Sequence, residues 1–134
     1  DGRCAGARFC YRKTGDAWYL ATCEDNSKKT LSEAVRSASE CPAGRLTAVA
    51  KDGTCIEPEL DQEIEITQDP ENDVSGGIYV KGGIPLVSAD GSEYETRNRI
   101  VLCRCGKSKN KPCCDGAHVD VKFKDKGSIK SESN

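Results

Sequence analysis

Residues 103–118 read CRCGKSKNKPCCDGAH and set Cys103, Cys105, Cys114 and His118 at the spacing C-x-C-x8-C-x3-H. Thiolate and imidazole are the donors that bind zinc and iron–sulfur centres, so this spacing reads as a metal or cluster site. His118 is the only histidine in the chain, and one tight turn past Cys114 can aim both side chains at a common centre. Ile100-Val101-Leu102 just upstream is an apolar run of strand character. A bend after Leu102 is expected, to turn the sulfurs of Cys103 and Cys105 inward onto a common centre. Gly106 supplies the freedom for it. Pro112 fixes its own φ and biases Lys111 toward extended backbone, Asp115 is a good N-cap, and Gly116 permits close backbone approach to the bound group.

The stretch resembles the CDGSH (NEET) iron–sulfur domain. That family's pattern, C-x-C-x2-[S/T]-x3-P-x-C-D-G-[S/A/T]-H, is met by Cys103, Cys105, Ser108, Pro112, Cys114, Asp115, Gly116 and His118. The resemblance implies a 2Fe-2S cluster with two cysteines on one iron and a cysteine plus the histidine on the other. Cys103, Cys105, Cys114 and His118 are then the ligands, and Gly106, Pro112, Asp115 and Gly116 shape the loop around the cofactor. Ala117 stands where the commonest member has serine, which removes a hydroxyl but leaves the ligand set intact. Cys113, beside Cys114, is read as a non-ligand, since neighbouring residues cannot both face one iron without strain.

A chain of 134 residues holds one or two small domains and a modest core. A net charge of −2 argues against general nucleic-acid binding. The charge is unevenly placed: residues 52–96 carry twelve acidic side chains against Lys81 alone. Arg99, Arg104, Lys107, Lys109, Lys111, Lys122 and Lys124 then flank the motif, a collar that can dock an acidic redox partner or offset the cluster's own charge. Nine cysteines would suit a disulfide scaffold, but the odd count and the spacing favour metal. No apolar run approaches the roughly 20 residues of a membrane span, so no membrane association and a cytoplasmic, bacterial or archaeal setting are expected, with organellar import left open.

Cys4, Cys10, Cys23, Cys41 and Cys55 lie in the first half. Cys4 and Cys10 give C-x5-C with Ala7 between them, and Cys41 directly precedes Pro42, as the remote cysteine does in bacterial-type ferredoxins. Three thiolates suit a 3Fe-4S cluster, or a 4Fe-4S cluster with one non-cysteine ligand; a disulfide or buried thiols are the alternative. The segment resembles the divergent mono-cluster ferredoxin domain that often precedes a CDGSH motif in bacterial and archaeal proteins, through Cys4-Ala5, Phe9-Cys10, Trp18 and Cys41-Pro42-Ala43-Gly44-Arg45-Leu46. Members commonly carry histidine where Gly6 stands here. Thr30 and Glu33 form a capping box, and Leu31, Ala34, Val35 and Ala38 share one face, which predicts a helix over 31–40 ending at Cys41-Pro42. Residues 45–50 follow as a strand, and Cys23 and Cys55 are left to pair or stay free.

Short strands are expected at 62–67, 77–81, 84–87 and 99–103, with a hairpin turn at Ala89-Asp90-Gly91. Val119, Val121 and Phe123 alternate as a further strand, and the polar tail from Lys124 frays. Gly76-Gly77 and Gly82-Gly83 lack the context of a nucleotide loop and read as turns. The expected class is α+β: a small ferredoxin-like domain over 1–50, then a β-rich CDGSH domain over 51–134.

No nucleophile–base pair or paired-carboxylate site is visible, so the expectation is a non-enzymatic two-cluster iron–sulfur protein for electron transfer, working with a redox partner. A cluster carrier or sensor that donates 2Fe-2S to an apo-protein acceptor is the second reading, and a structural Cys3His zinc module the third. The imidazole ligand makes the 2Fe-2S cluster acid-labile, because protons compete with iron for its nitrogen. Family members are often homodimers; here the extra N-terminal part can cover that surface and leave a monomer.

Overall fold

The computed structural model describes residues 3–8, 10–11 and 16–126; Phe9 and the tail from residue 127 lie outside them. Two helices come first. The Asp16 carboxylate accepts from the amides of Trp18 at 2.9 Å and Tyr19 at 3.0 Å, and this cap starts α1 (Ala17–Thr22). The second helix, α2 (Lys28–Ser39), begins three residues earlier than Thr30 suggests. Its cap is Ser27, whose hydroxyl oxygen accepts from the Thr30 amide at 3.3 Å, while the Thr30 hydroxyl donates to Asp25 at 2.6 Å. The expected Thr30–Glu33 capping box is therefore not the start of the helix, because Asp25 engages the Thr30 hydroxyl. Ser37 and Ala38 are the buried residues of α2, whereas Leu31, expected on the packed face, is 51 % exposed.

After α2 the chain makes a two-residue ladder, β1 (Ala48–Val49) with β2 (Cys55–Ile56), closed by a turn at Asp52, whose carboxylate accepts from the Thr54 amide at 2.9 Å. A three-stranded antiparallel sheet follows in the order β3 (Glu63–Asp69), β4 (Val74–Lys81), β5 (Arg99–Leu102). Gly76 and Gly77, read above as turn residues, lie inside the central strand β4. A side chain at Gly77 would place its Cβ 2.6 Å from Val101 Cγ1 and 2.7 Å from the Leu102 carbonyl oxygen, and one at Gly76 would collide with the Thr67 hydroxyl. Here glycine in a strand marks close packing rather than a break. Gly82 and Gly83, at φ +84° and +72°, do form the turn expected of them.

Residues 84–87 form no strand; only Val87 bridges to Glu93, across a turn in which the Ser88 amide donates to the Ser92 carbonyl at 2.8 Å. The alternation at 119–123 also misleads. Those residues begin in α3 (Ala117–Asp120), and the Phe123 amide returns to the His118 carbonyl at 2.9 Å. Gly116 at φ +88° and the Asp115 carboxylate, which accepts from the Ala117 amide at 3.1 Å, start this turn of helix before any strand partner is reached.

The core joins both ends of the chain: Ala5, Ala43, Val101 and Cys114 are buried together, with Cys41 and Tyr79 packed against them. Beside it sits Arg99, 2 % exposed and so no part of the surface collar proposed from sequence. Its Nη1 donates to the carbonyls of Ala38 at 2.9 Å, Ser39 at 3.1 Å and Cys41 at 2.6 Å. Its Nη2 donates to the Leu46 carbonyl at 3.0 Å and to Glu57 Oε1 at 2.5 Å, and its Nε to Glu57 Oε2 at 3.0 Å. One guanidinium thus satisfies the carbonyls left over at the end of α2, where a cation also meets the negative pole of the helix. Gly44, at φ +60°, closes the arrangement, since any side chain there would strike the Arg99 carbonyl.

Candidate metal centre

The bend after Leu102 is present. β5 ends at Leu102, Gly106 takes φ +76°, and the Cys103 amide donates to the Pro112 carbonyl at 2.8 Å. The Cys114 amide donates to the Val101 carbonyl at 2.8 Å, so the two arms of the loop are laced together. Ser108, buried at the centre, donates its hydroxyl to the Cys113 carbonyl at 2.6 Å and accepts from the Asn110 amide at 3.0 Å. Asp115 accepts from the Lys109 amide at 2.9 Å as well as from Ala117, which ties the loop's start to its end.

This scaffold brings the four predicted ligands together as two pairs. Cys103 Sγ and Cys105 Sγ are 4.0 Å apart, and Cys114 Sγ lies 3.4 Å from His118 Nδ1. Among the described residues no three His, Cys, Asp or Glu side chains gather around one ion. A single tetrahedral zinc needs all four donors on one centre, whereas a two-iron unit takes one pair at each iron. The donor set fits the latter. Two amides already point at sulfur, Lys107 N–H to Cys105 Sγ and Gly116 N–H to Cys114 Sγ, each at 3.4 Å. Such donors stabilise thiolate charge and tune a cluster's potential.

The two pairs differ electrostatically. Burial works against ionising Cys103, but hydrogen bonds from the Ser108 and Gly106 amides, the Cys105 thiol and the Lys111 charge together hold it below the ordinary thiol value. Burial pushes Cys114 up to about 11, helped by the charges of Cys103, Asp115 and Cys105 and opposed by the Gly116 amide. Burial likewise holds His118 below the usual imidazole value, against the charges of Asp69, Asp115 and Asp120. Without metal, the Cys114–His118 pair is therefore a neutral thiol beside a neutral imidazole, and a metal would displace the thiol's proton.

Gly77 also belongs to the site, since its Cβ position is 3.6 Å from Cys114 Cβ and the absence of a side chain lets the cysteine seat against β4. Of the collar, Lys107, Lys109, Lys111 and Lys122 are exposed. Arg104 instead turns inward, bonded to Asp125 at 2.8 Å and set over the Phe123 ring at 5.5 Å, and Lys124 pairs with Asp73 at 2.6 Å.

In the first half, Cys10 lies within electrostatic reach of Cys4 and Cys41. Burial raises its thiol, as do the charges of those two, against hydrogen bonds from its own backbone and from the Trp18 side chain. Cys41 packs on the core beside Tyr79, while Cys4 is exposed. All nine cysteines are unpaired in this structure, Cys23, Cys55 and Cys113 among them.

Comparison with known families agrees with the second half. Residues 75–119 match the family described as iron-binding zinc finger CDGSH type, a span that starts in β4 and ends in α3. This match supports an iron–sulfur site in that segment. No curated protein and no solved structure matched the chain. Among the described residues no helix is long and apolar enough to cross a membrane.

Proposed function

We propose that the chain is a two-cluster iron–sulfur protein of electron transfer, and not an enzyme. Cys103, Cys105, Cys114 and His118 hold a 2Fe-2S cluster, and Cys4, Cys10 and Cys41 hold a 3Fe-4S cluster, or a 4Fe-4S cluster with one non-cysteine ligand. The observation that carries this reading is the arrangement of four donors as two pairs, 4.0 Å and 3.4 Å within each pair. Bound there, the cluster would supply one-electron chemistry; the rest is the work of the chain. The Lys107 and Gly116 amides stabilise thiolate charge, and the buried loop excludes water from the Cys114–His118 side. The neutral imidazole removes one negative charge relative to four thiolates. Two such replacements raise Rieske potentials from roughly −400 mV to between roughly −150 and +300 mV, so a single one gives an intermediate potential. An acidic redox partner fits the lysines at 107, 109 and 111 beside the Cys103–Cys105 pair. A monomer fits the packing of Ala5 and Ala43 on Val101 and Cys114, which covers that face from within the chain.

The test is anaerobic purification with iron and sulfide counted, and EPR before and after dithionite. A reducible 2Fe-2S signal with an oxidised 3Fe-4S signal is the expected result; a colourless zinc protein would overturn it. A carrier that donates 2Fe-2S to apo-proteins is favoured by a different observation. His118 lines a cleft together with Ala5, Ala7, Arg8 and Tyr11 and with residues of β3 and β4, a route by which an acceptor's ligand can reach the histidine side. Transfer to an apo-ferredoxin, against reduction by a ferredoxin reductase, separates the two.

A further inference from the structure

Residues 4–6 lie outside both the sixteen-residue motif and the matched span, yet they pack beside Gly116 within it. A Cβ built on Gly116 would be 3.6 Å from the Cys4 carbonyl oxygen and 3.9 Å from both Ala5 C and Gly6 N. Reciprocally, a Cβ on Gly6 would lie 3.9 Å from Gly116 Cα. Backbone therefore crosses backbone at the glycine between Asp115 and Ala117, with no side chain between. Ala5, 8 % exposed, is buried in the same cluster as Cys114 and Val101. His118 is 4 % exposed, and the cleft that reaches it has Ala5, Ala7 and Arg8 on one side and Asp69, Gly76 and Gly77 on the other.

We infer that the Cys4–Ala5–Gly6 segment is part of the CDGSH-type site: it is the wall that keeps water and competing ligands from the Cys114–His118 pair, and so sets how readily that pair gives up its metal. The inference rests on those residues being ligands. Among the described residues His118 is the one of the four ligands that lines the cleft, so the route through the cleft governs loss. The wall must be thin. Gly6 at φ +72° and the small Ala5 let the main chain lie flat on Gly116, where a longer side chain at position 5 would have to displace Ala43 or Val101. Cys4 joins the wall to the first cysteine group, so whatever holds Cys4, Cys10 and Cys41 together also holds the wall shut.

The experiment compares the full-length, cluster-loaded parent with Ala5→Glu and Ala5→Ser, following bleaching of the 2Fe-2S absorption in excess EDTA at neutral pH. Ala5→Glu should keep the parent's spectrum, showing the ligand set intact, yet bleach about tenfold faster, as expected when local opening becomes easier; Ala5→Ser should stay within about twofold. Equal rates for the loaded parent and loaded Ala5→Glu overturn the wall while leaving the ligand assignment standing. A parent without iron and sulfide overturns both. Should Ala5→Glu fail to fold, hydrogen exchange on the parent decides. Peptides covering residues 3–8 and 114–119 should lose protection together when the cluster is removed, and independent behaviour overturns the wall.

Discussion

Arg99 and Glu57 form a two-pronged ion pair, Nη2 to Oε1 at 2.5 Å and Nε to Oε2 at 3.0 Å, with the arginine side chain 1 % exposed. The same guanidinium holds three carbonyls at the end of α2 and the following turn, so the pair is the joint between the first fifty residues and the strand that leads into Cys103. Replacing Glu57 with Gln leaves a buried cation short of its counter-charge and should cost about 3–5 kcal/mol. Urea denaturation of the two proteins measures it. Arg99→Lys should cost a similar amount, because an ammonium cannot serve the six acceptor atoms that the guanidinium fork meets.

Stability should fall with acid through Glu57. Burial alone would raise its carboxyl, but hydrogen bonds from Arg99 and Asn98 and the charges of Arg99 and Arg97 outweigh it and hold the group below the usual carboxylate value. A carboxyl depressed on folding contributes stability that is fully present above the unfolded value and is lost as pH falls through the lower folded value. The urea midpoint should therefore drop below about pH 4.5 in the parent. That part of the drop should be missing in Glu57→Gln, and identical acid profiles would contradict the assignment.

Thiol reactivity in metal-free protein should separate the two halves of the site. Cys103, held below the ordinary thiol value, should be alkylated by iodoacetamide at pH 7 well before Cys114, which is 3 % exposed and pushed up to about 11. Peptide mass analysis over a time course reads the order. Cys114 reacting first would mean that the histidine side is open in the absence of metal.

Replacing His118 with Cys should slow cluster loss in mild acid, since a thiolate remains bound at proton concentrations that strip an imidazole. Bleaching of the visible spectrum between pH 5 and 7 gives the comparison, and equal rates in the two proteins would remove the histidine from the mechanism of acid lability.

Gly77→Ala should lower stability by about 1–3 kcal/mol through overpacking, because the added methyl falls 2.6 Å from Val101 Cγ1. It should also reduce the iron loaded per chain, as Cys114 Cβ is only 3.6 Å away. A variant with full iron content and unchanged melting would show that β4 yields without disturbing the cysteine.

The ligand loop was legible because its determinants are local: Cys103 to His118 lie within one short stretch, and the bend at Gly106 follows from its spacing. What escaped was set by distant partners. Arg99 reads as one more basic residue until α2 and Glu57 close over it, and Gly76-Gly77 reads as a turn until Thr67 and Val101 are seen to occupy the space of their missing side chains. The strand expected at 119–123 rested on alternation alone, and the Asp115–Gly116 turn started a helix there first. Capping chemistry located α2 but not its first residue, because Asp25 claims the Thr30 hydroxyl. α1 spans six residues, too few for helical periodicity to reveal it. For the three N-terminal cysteines the sequence offers spacing and resemblance, and the fold adds the proximity of Cys10 to Cys4 and Cys41.

Arg99 is separated from its acceptors at Ala38 and Cys41 by 61 and 58 positions along the chain. During synthesis the first half leaves the ribosome before β5 exists, so the carbonyls of Ala38, Ser39 and Cys41 wait for their guanidinium while the intervening acidic segment is made. Contacts of such sequence separation form late and slowly. The newborn chain thus spends an interval in which its first five cysteines are already made while the residue that ties their segment to the strand leading into Cys103 is still to come.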